Sequence, residues 1–377
     1  MTSAQPLRGS FSTYESWSHF TEREARTIPE RLTTPQVVGL SDSARVDYDR
    51  RRREWHANIV LRSEQVDRLH QDLLDIVDSN QQDSDRVKSA AAIDAPPTMG
   101  KTTALRMFGR DFHRRRVAEA GEYLDPDTQT TKHIPVCHVT LAGKPTIKAL
   151  HQMLLGFYAH PSVRSELRQS LTLSRDLARA AADCIARHDT RLVIIDDLHF
   201  LNMRTNDSVH VANQLKWLAN EYDAAFVFAG VALRESGLLK EGRSGEDAAL
   251  AQTFRRWTVL GMNIFSLQTQ TDKREWARLM GSLDKAVVLS NGHDRMIQDL
   301  ATYIFVRTGG NIGSLMDLIR RGTTRAIRTG DEKLDRALLD TIRLDEGAES
   351  GRADREKKFD RKLKRELDDG STEEAAR

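Results

Sequence analysis

The fold is decided by the stretch Ala95-Pro96-Pro97-Thr98-Met99-Gly100-Lys101-Thr102. This stretch matches the pattern of a phosphate-binding loop. Gly100, Lys101 and Thr102 are present as the pattern requires, and Ala95 stands where the first glycine is usual. Gly100 lets the backbone approach an anionic phosphate, and successive N–H groups can then point at its oxygens. Lys101 neutralises the β- and γ-phosphates of a nucleotide, and the Thr102 hydroxyl can hold Mg2+. The predicted nucleotide-binding residues are Ala95, Pro96, Pro97, Thr98, Met99, Gly100, Lys101, Thr102 and Thr103.

A helix is predicted to begin directly after this loop. The residues from Thr103 to Phe108 have helical character. The loop would therefore lie at a helix N-terminus, whose partial positive charge favours bound phosphate.

A second pattern lies about a hundred residues further along the chain. Residues 191–197 form a short apolar, β-branched run that ends in Asp196 and Asp197, which is typical of a buried parallel strand. Asp196 would face the crevice where ligands of open α/β sheets bind, and would hold Mg2+ through water together with Thr102. Asp197 would orient or deprotonate the attacking water. The alternative, a core strand with two solvated aspartates, is disfavoured by the phosphate loop upstream. The two patterns together predict an ATP site.

The order of elements predicts an α/β fold with a parallel sheet flanked by helices. Strands are expected at residues 89–94, 133–141, 191–197 and 224–229, with amphipathic helices between them. Strands that alternate with helices are typical of doubly wound parallel sheets.

The length allows two or three domains, and the composition does not suggest a disulfide framework. The chain has 377 residues, 39% of them hydrophobic, and a net charge of +2. No run approaches the length of a membrane span, so a cytoplasmic protein without membrane contact is expected. Cys137 and Cys184 are not in a metal-like spacing. The small net charge neither demands nor excludes nucleic acid.

Changes in composition suggest four regions. We predict an N-terminal arm over 1–55, an ATPase core over 56–268, an α-helical lid over 269–345 and a charged tail over 346–377. The aromatic residues of the arm are either anchors for a partner or local packing. The tail has a thin apolar stripe, which is typical either of a helix that docks on a partner or of a solvated helix.

The loop over 95–102 resembles the Gly-Pro-Pro-Gly-Thr-Gly-Lys-Thr loop of AAA+ ATPases, and the order of elements is similar to that superfamily. More narrowly, residues 60–330 resemble TniB and TnsC, the ATP-dependent regulators of DNA transposition. The segments that carry this narrower resemblance are Ile134-Pro-Val-Cys-His-Val-Thr-Leu141, Phe228-Ala-Gly-Val-Ala-Leu-Arg-Glu-Ser-Gly237, Leu250-Ala-Gln-Thr-Phe-Arg-Arg-Trp257 and Thr308-Gly-Gly-Asn-Ile-Gly-Ser-Leu315.

The resemblance implies further roles in hydrolysis. Arg255 and Arg256 fall where the family often has an arginine finger, so they are the remaining predicted catalytic residues beside Lys101, Asp196 and Asp197. The sensor-1 position near Ala229 lacks the usual polar side chain. Residues 310–313 match the start of the sensor-2 helix but without its arginine. Asp197 replaces the more usual glutamate, and its shorter reach implies slow hydrolysis.

The resemblance also implies partners. The ATP-bound protein would form a ring or filament of identical subunits on duplex DNA and recruit a transposase, together with a target-selection protein. Contacts to DNA phosphates would come from Lys144, Lys148 and Arg114–Arg116, whereas the run Arg50–Arg53 is either a solvated helix face or a phosphate contact. Two alternatives remain open at this point: a signalling ATPase of the STAND type, and a helicase-loader-like ATPase similar to DnaC or IstB.

Overall fold

The computed structural model describes residues 11–82, 88–143, 145–163, 173–198, 215, 218, 222–235 and 257–359. Its strands are β1 Ala90–Asp94, β2 Val136–Thr140, β3 Leu192–Asp196, β4 Ala225–Gly230 and β5 Trp257–Gly261. Its helices are α1 Tyr14–Glu22, α2 Thr34–Val38, α3 Asp42–Ala57, α4 Glu64–Gln81, α5 Lys101–Ala120, α6 Ile147–Phe157, α7 Ser174–Arg187, α8 Gln270–Ala286, α9 Met296–Asp299, α10 Ala301–Thr308, α11 Ile312–Thr329, α12 Arg336–Asp340 and α13 Glu346–Ser350.

The strands form one parallel sheet in the order β2-β3-β4-β1-β5. This confirms the predicted fold class and four of its strands. The fifth strand, β5, was not predicted. Among the described strands it pairs only with β1, and only Trp257 and Leu260 of its residues are buried, so it lacks the continuous apolar run that identifies β3.

Tertiary contacts divide the described residues into two units that do not follow the order of the chain. The first unit contains the sheet and comprises the described residues of 1–24 and 65–262. The second comprises 25–64 and the described residues from 263 onwards, and it is helical. The predicted arm over 1–55 is thus shared between the units. The helical C-terminal region is present, and its role as a lid stays a prediction.

Residues 11–24, which we call the N-terminal segment, pack on the sheet unit through Trp17. The Trp17 side chain is fully buried, its indole donates to Nδ1 of His113 at 3.3 Å, and its ring stacks on His138 of β2. Gly109 makes room for it, because a Cβ there would lie 3.0 Å from Cη2 of Trp17. Arg114 donates to the carbonyl oxygens of Thr21 and Arg23. The aromatic residues of this segment therefore serve local packing.

The helical unit is organised around two buried arginines. Arg52 is completely buried and donates to both carboxylate oxygens of Glu332, at 2.6 and 2.8 Å. Its neighbours Arg50 and Arg51 pair with Asp47 on the exposed side of α3. The run over 50–53 thus lies on a helix where Arg50 and Arg51 form solvated ion pairs, whereas Arg52 pairs with Asp49 and Glu332. The hypothesis of a phosphate contact is therefore without support at Arg52.

The start of the predicted tail packs on the helical unit. Arg307 is 1% exposed and donates to the carbonyl oxygens of Leu339 and Ile342. Glu349 forms an ion pair with Arg307, and Arg355 donates to the Val306 carbonyl. Residues 352–359 are helical, and residues 360–377, which include Leu363 and Leu367 of the apolar stripe, lie outside the described residues. None of the described helices is both long and apolar enough to cross a lipid bilayer.

A tight turn joins α10 to α11 in the helical unit. Gly310 has φ of +75°, and its carbonyl accepts a hydrogen bond from Phe265 N at 3.0 Å. A Cβ at this position would lie 2.2 Å from the carbonyl oxygen of Phe265. The turn therefore requires glycine for its backbone conformation and for its close approach to residue 265.

We expect Gly310→Ala to lower the free energy of unfolding of the helical unit by roughly 2–4 kcal/mol, from left-handed strain plus overpacking. Gly330→Ala is the matched control, since Gly330 has φ of +81° with nothing within 4 Å of its Cβ position. It should cost only about 1 kcal/mol. Equal losses for the two variants in chemical denaturation would contradict the clash with Phe265.

Two buried histidines beside Trp17 make the sheet unit sensitive to acid. Burial lowers the pKa of His113 to about 4 and that of His138 to about 3, from 6.5. Both rings are therefore neutral in the folded protein at pH values where they are charged in the unfolded chain. Their contribution is fully present above the unfolded pKa and is lost as pH falls below it, because the unfolded state then binds more protons.

We expect stability of the sheet unit to fall between about pH 7 and about pH 5, by about 2 kcal/mol for each of these histidines. His138→Phe should remove the contribution of His138 to the pH dependence of the free energy of unfolding. The substitution breaks no hydrogen bond of the ring, since neither ring nitrogen has a partner among the described residues. Denaturant unfolding at both pH values measures the effect. A slope that is the same in His138→Phe and in the wild type would show that this histidine is not neutral when folded.

Candidate nucleotide-binding site

The loop over 95–100 connects the carboxyl end of β1 to the first turn of α5. Thr98 and Gly100 both have positive φ, of +60° and +80°, and Gly100 caps the helix. The carbonyl of Gly100 accepts the first helical hydrogen bond from Ala104 N at 2.9 Å. The first N–H groups of a helix have no hydrogen-bond acceptor inside the helix, so they point toward the space before its N-terminus. The arrangement forms a concavity suited to an anion.

Lys101 closes over this loop from the helix side. Its side chain is 7% exposed, and Nζ donates to the carbonyl oxygens of Ala95 and Pro96 at 2.9 and 3.0 Å. Burial lowers the pKa of Lys101, while Asp196, Asp197 and Asp94 act in the opposite direction. The ammonium group is thus held within the loop by weak neutral acceptors, which a phosphate can replace with stronger charged ones.

Asp196 lies at the carboxyl end of β3 with a 0% exposed side chain. Oδ1 accepts from the backbone N of Asp197 at 2.9 Å, whereas Oδ2 is buried without a hydrogen-bond partner among the described residues. Burial raises the pKa of Asp196, and the hydroxyl of Thr102 partly offsets this. A buried oxygen without a partner beside a threonine hydroxyl fits the donor set of Mg2+, which is held by one or two protein groups plus phosphates and water. The described residues contain no cluster of three metal-ligating side chains.

The backbone of Asp197 adopts a left-handed conformation, with φ of +58°. Such a conformation is uncommon for residues other than glycine and is retained only when the surroundings fix it. Because β2 pairs with β3 in register from Val136 to Thr140, Asp197 leaves the sheet level with the end of β2. It therefore lies at the carboxyl edge of the sheet, and its role toward an attacking water stays a prediction.

Asp94, the last residue of β1, connects the loop to the end of β4. Its two carboxylate oxygens accept hydrogen bonds from the backbone N atoms of Leu233 and Arg234, at 3.0 and 3.1 Å. Gly230 is the register partner of Asp94, so the chain turns back over β1 after β4 ends. Ala229 near the end of β4 has no polar side chain, and Asp94 joins the two strand ends through these backbone contacts.

The structure brings most of the predicted site residues together. The loop residues over 95–103, with Asp196 and Asp197, lie at the carboxyl edge of the sheet. Arg255, Arg256 and Lys144 lie outside the described residues. Asn311 caps α11 by accepting from the N atoms of Gly313 and Ser314.

The predicted DNA contacts have different environments. Arg114 is occupied with carbonyl oxygens, and Arg116 pairs with Glu119. Arg115 is exposed, with its guanidinium over the Phe112 ring, and Lys148 is exposed in the first turn of α6. At 1.5 Å per residue, Arg115 lies roughly 20 Å along α5 from Gly100. The basic run on α5 is therefore remote from the loop, whereas α6 begins at the carboxyl edge of the sheet.

Comparison with known proteins agrees with this geometry. Residues 84–236 match the family model described as AAA domain. The chain contains an AAA-type P-loop ATPase domain. No curated protein sequence matches the chain.

Among solved structures, the chain is similar to the ORC2 protein of Aeropyrum pernix in its ADPNP–ADP complexes, with 14% identity and a TM-score of 0.52 over 76% of this chain and 69% of that one. It is also similar to A. pernix ORC1 in complex with DNA, with 13% identity and a TM-score of 0.47 over 77% of this chain and 68% of that one. For Drosophila ORC bound to DNA, the identity is 12% and the TM-score 0.48 over 85% of this chain and 70% of that one. At such identities the likeness to ORC2 shows the AAA+ fold alone, and the scores below 0.5 add no argument.

Sequence reasoning missed two residues of the site, Asp94 and Arg106. Asp94 ends β1 immediately before the loop, and a carboxylate at a strand end beside a phosphate loop is a signal that could have been used. Arg106 lies four residues after Thr102 on α5, so its side chain is on the same helix face. The spacing from Thr102 could have been recognised in the sequence, whereas the proximity of Arg106 to Asp196 and Asp197 could not.

Two neighbouring threonines allow the metal site to be tested. Thr102→Ala removes the hydroxyl next to Asp196 and should weaken ATP binding in Mg2+ by roughly tenfold, with little change when EDTA replaces Mg2+. Thr103→Ala is the matched control, because the Thr103 side chain is exposed and its backbone N–H is kept. Titration calorimetry measures both. Equal behaviour of the two variants would exclude Thr102 as a metal ligand.

Proposed function

We propose that this protein is an ATP-dependent, DNA-binding regulator of transposition. In the ATP state it assembles as a homo-oligomer on duplex DNA and recruits or activates a transposase. The observation that carries the ATP-dependent part is the phosphate loop placed beside Asp196, with the unpartnered Oδ2 atom at 0% exposure. The transposition part rests on the resemblance of residues 60–330 to TniB and TnsC.

The residues of the site divide the work of hydrolysis. Lys101 and the N–H groups at the start of α5 bind and orient the phosphates. Thr102 and Asp196 would hold Mg2+, which would supply positive charge to neutralise the phosphates. Asp197 orients the attacking water and accepts its proton at the carboxylate. Its side chain is one methylene shorter than glutamate, which supports slow turnover and a long-lived ATP state.

Assembly is proposed to control this turnover. Arg255 or Arg256 of one subunit would reach the nucleotide of its neighbour and stabilise charge that develops on the γ-phosphate. Hydrolysis then depends on contact between subunits, and product formation weakens the assembly. Loss of DNA-stimulated turnover in Arg255→Ala or Arg256→Ala, with ATP binding kept, would identify which of them acts.

DNA contact is proposed at the N-terminus of α6. Lys148 is exposed there, and Thr146 caps the helix by accepting from Ala149 N at 3.2 Å. The partial positive charge of a helix N-terminus adds to that of the lysine and favours phosphate. Such contacts carry no sequence information, so binding would be salt-dependent and weakly specific.

The test is duplex-DNA binding with ATP, with ADP and without nucleotide, at two salt concentrations. We expect wild type to form rings or filaments on DNA only with ATP, and Lys101→Ala to form none. Lys148→Ala should weaken DNA binding and lower the slope of log affinity against log salt by roughly 1. Arg175→Ala, on an 82% exposed arginine of α7, is the control and should match the wild type.

Negative-stain microscopy of the same samples shows the particles. Assembly driven by ATP without DNA, or no binding to DNA in any nucleotide state, would contradict the proposal. ATP-dependent DNA assembly without capture of a transposase would leave the helicase-loader alternative as the better description.

A further inference from the structure

A cavity of about 330 Å3 lies beside the end of β2 in the sheet unit. Thr140, the last residue of β2, lines it and is the register partner of Asp196. The backbone N of Leu141 donates to the Asp196 carbonyl at 3.0 Å, so the cavity also lies beside the end of β3. The phosphate loop over 95–103 contributes none of the described residues that line it. A ligand in this cavity would therefore contact other groups than a nucleotide does.

The cavity combines an apolar wall with one positively charged group. Its apolar side chains are Phe11, Val139 and Met153, and its polar side chains include Arg106 and Thr140. No acidic side chain is found among the described residues that line it. Sites for small molecules are mostly apolar, with a few polar groups that orient the ligand, and they begin at about this volume.

Arg106 supplies the positive charge of the cavity. Nε is buried without a partner, and the guanidinium forms no hydrogen bond or ion pair with a described residue. A guanidinium carries five N–H donors, and donors withdrawn from water are costly unless an acceptor satisfies them. Two other arginines of α5 differ, because Arg114 donates to two carbonyl oxygens and Arg110 pairs with Asp111 at 3.1 Å. An anion in the cavity would supply acceptors for Arg106.

Phe11 holds the guanidinium in an orientation that suits an anion. The guanidinium carbon lies over the Phe11 ring, 4.4 Å from its centre. The ring covers one face of the guanidinium, whereas the N–H groups lie in the plane and stay available. Two of them can donate side by side to a carboxylate or a phosphate.

We propose that this cavity binds a small organic anion, whose carboxylate or phosphate group is held by Arg106 and whose apolar part lies on the apolar wall. Thr140 adds a hydroxyl that can donate to the same charged group. An inorganic anion has no apolar part to bury, so it would bind more weakly. Such a site needs neither DNA nor a transposase, so it is separate from the proposed function.

Ligand-observed NMR titrations with phenyl phosphate, benzoate and inorganic phosphate test this site, with ADP and Mg2+ present to occupy the phosphate loop. We expect saturable binding of phenyl phosphate or benzoate, at least roughly tenfold tighter than that of inorganic phosphate. The tighter of the two organic probes shows whether the site prefers a phosphate or a carboxylate. Equal affinity for inorganic phosphate, or saturation by neither organic probe, would overturn the proposal.

The phosphate loop is excluded as the binding site by a variant. Lys101→Ala, titrated without nucleotide, should bind the tighter organic probe within about threefold of wild type, because Lys101 does not line the cavity. Loss of binding in this variant would assign the probe to the phosphate loop and contradict a separate site.

Arg106→Gln should weaken binding of the tighter organic probe by roughly 10- to 100-fold, because charge-assisted hydrogen bonds are lost. Arg106→Lys should fall between this variant and wild type, since lysine keeps the charge without the fork. Arg110→Gln is the matched control, because Arg110 also faces an aromatic ring, that of Phe20 at 5.9 Å, but does not line the cavity. It should stay within about twofold of wild type. Unchanged affinity in Arg106→Gln would overturn the proposal.

Gly156 of α6 allows the cavity to be filled without removal of a polar group. It lines the cavity, and a Cβ at this position would meet no atom within 4 Å. Gly156→Leu should therefore fold and weaken binding of the organic probe by at least about tenfold, because its side chain takes up space that the ligand needs. Gly156→Ala is the control and should stay within about threefold, since one methyl group takes little space and favours the helix.

This pair of variants decides the location of the site even where Arg106→Gln lowers stability. Binding to Gly156→Leu at the affinity of Gly156→Ala would place the probe outside the cavity and overturn the proposal.

Discussion

The buried ammonium group of Lys101 sets the requirements for the sheet unit. A cation at 7% exposure is costly unless oxygens surround it. Two of these come from its own loop, and three carboxylates nearby belong to the ends of β1 and β3. Both strands must therefore end at the same edge, which a parallel sheet provides, and they are separated only by β4. The two left-handed residues of the loop bring its carbonyl oxygens within reach of Nζ.

The packing of the N-terminal segment beside β2 depends on a different constraint, the space that the Trp17 side chain occupies. The indole fits because Gly109 of α5 has no side chain: a Cβ there would lie 3.0 Å from both Trp17 and Ile194 of β3. The residue that begins this segment, Phe11, contacts both the Trp17 and His138 rings. The packing that fixes the segment is thus continuous with the wall of the cavity beside Asp196, so anchoring and site geometry share the same side chains.

What could be predicted from the sequence was set by local patterns of residues. The phosphate loop and the apolar run of β3 each consist of consecutive residues, so both could be recognised in the sequence and predicted to lie at the same edge of the sheet. β5 was missed because a five-residue edge strand with only two buried residues has a weak pattern. The partner of Arg52 is 280 residues away at Glu332, and the partners of Trp17 are on α5 and β2. Contacts between residues so far apart leave no pattern in a single sequence. The burial of Arg52 could therefore not be distinguished from the solvent exposure of its neighbours.

The described part of the site contains two cations and three carboxylates. Lys101 and Arg106 are its cations, while Asp94, Asp196 and Asp197 are its anions. Bound Mg2+ offsets part of the charge on ATP, but the reaction adds negative charge at the γ-phosphate and its leaving group. Both oxygens of Asp94 already accept backbone N–H groups, and the end of β4 at Ala229 offers no polar side chain. An arginine supplied by a neighbouring subunit, as proposed for Arg255 or Arg256, would provide a further cation for this step.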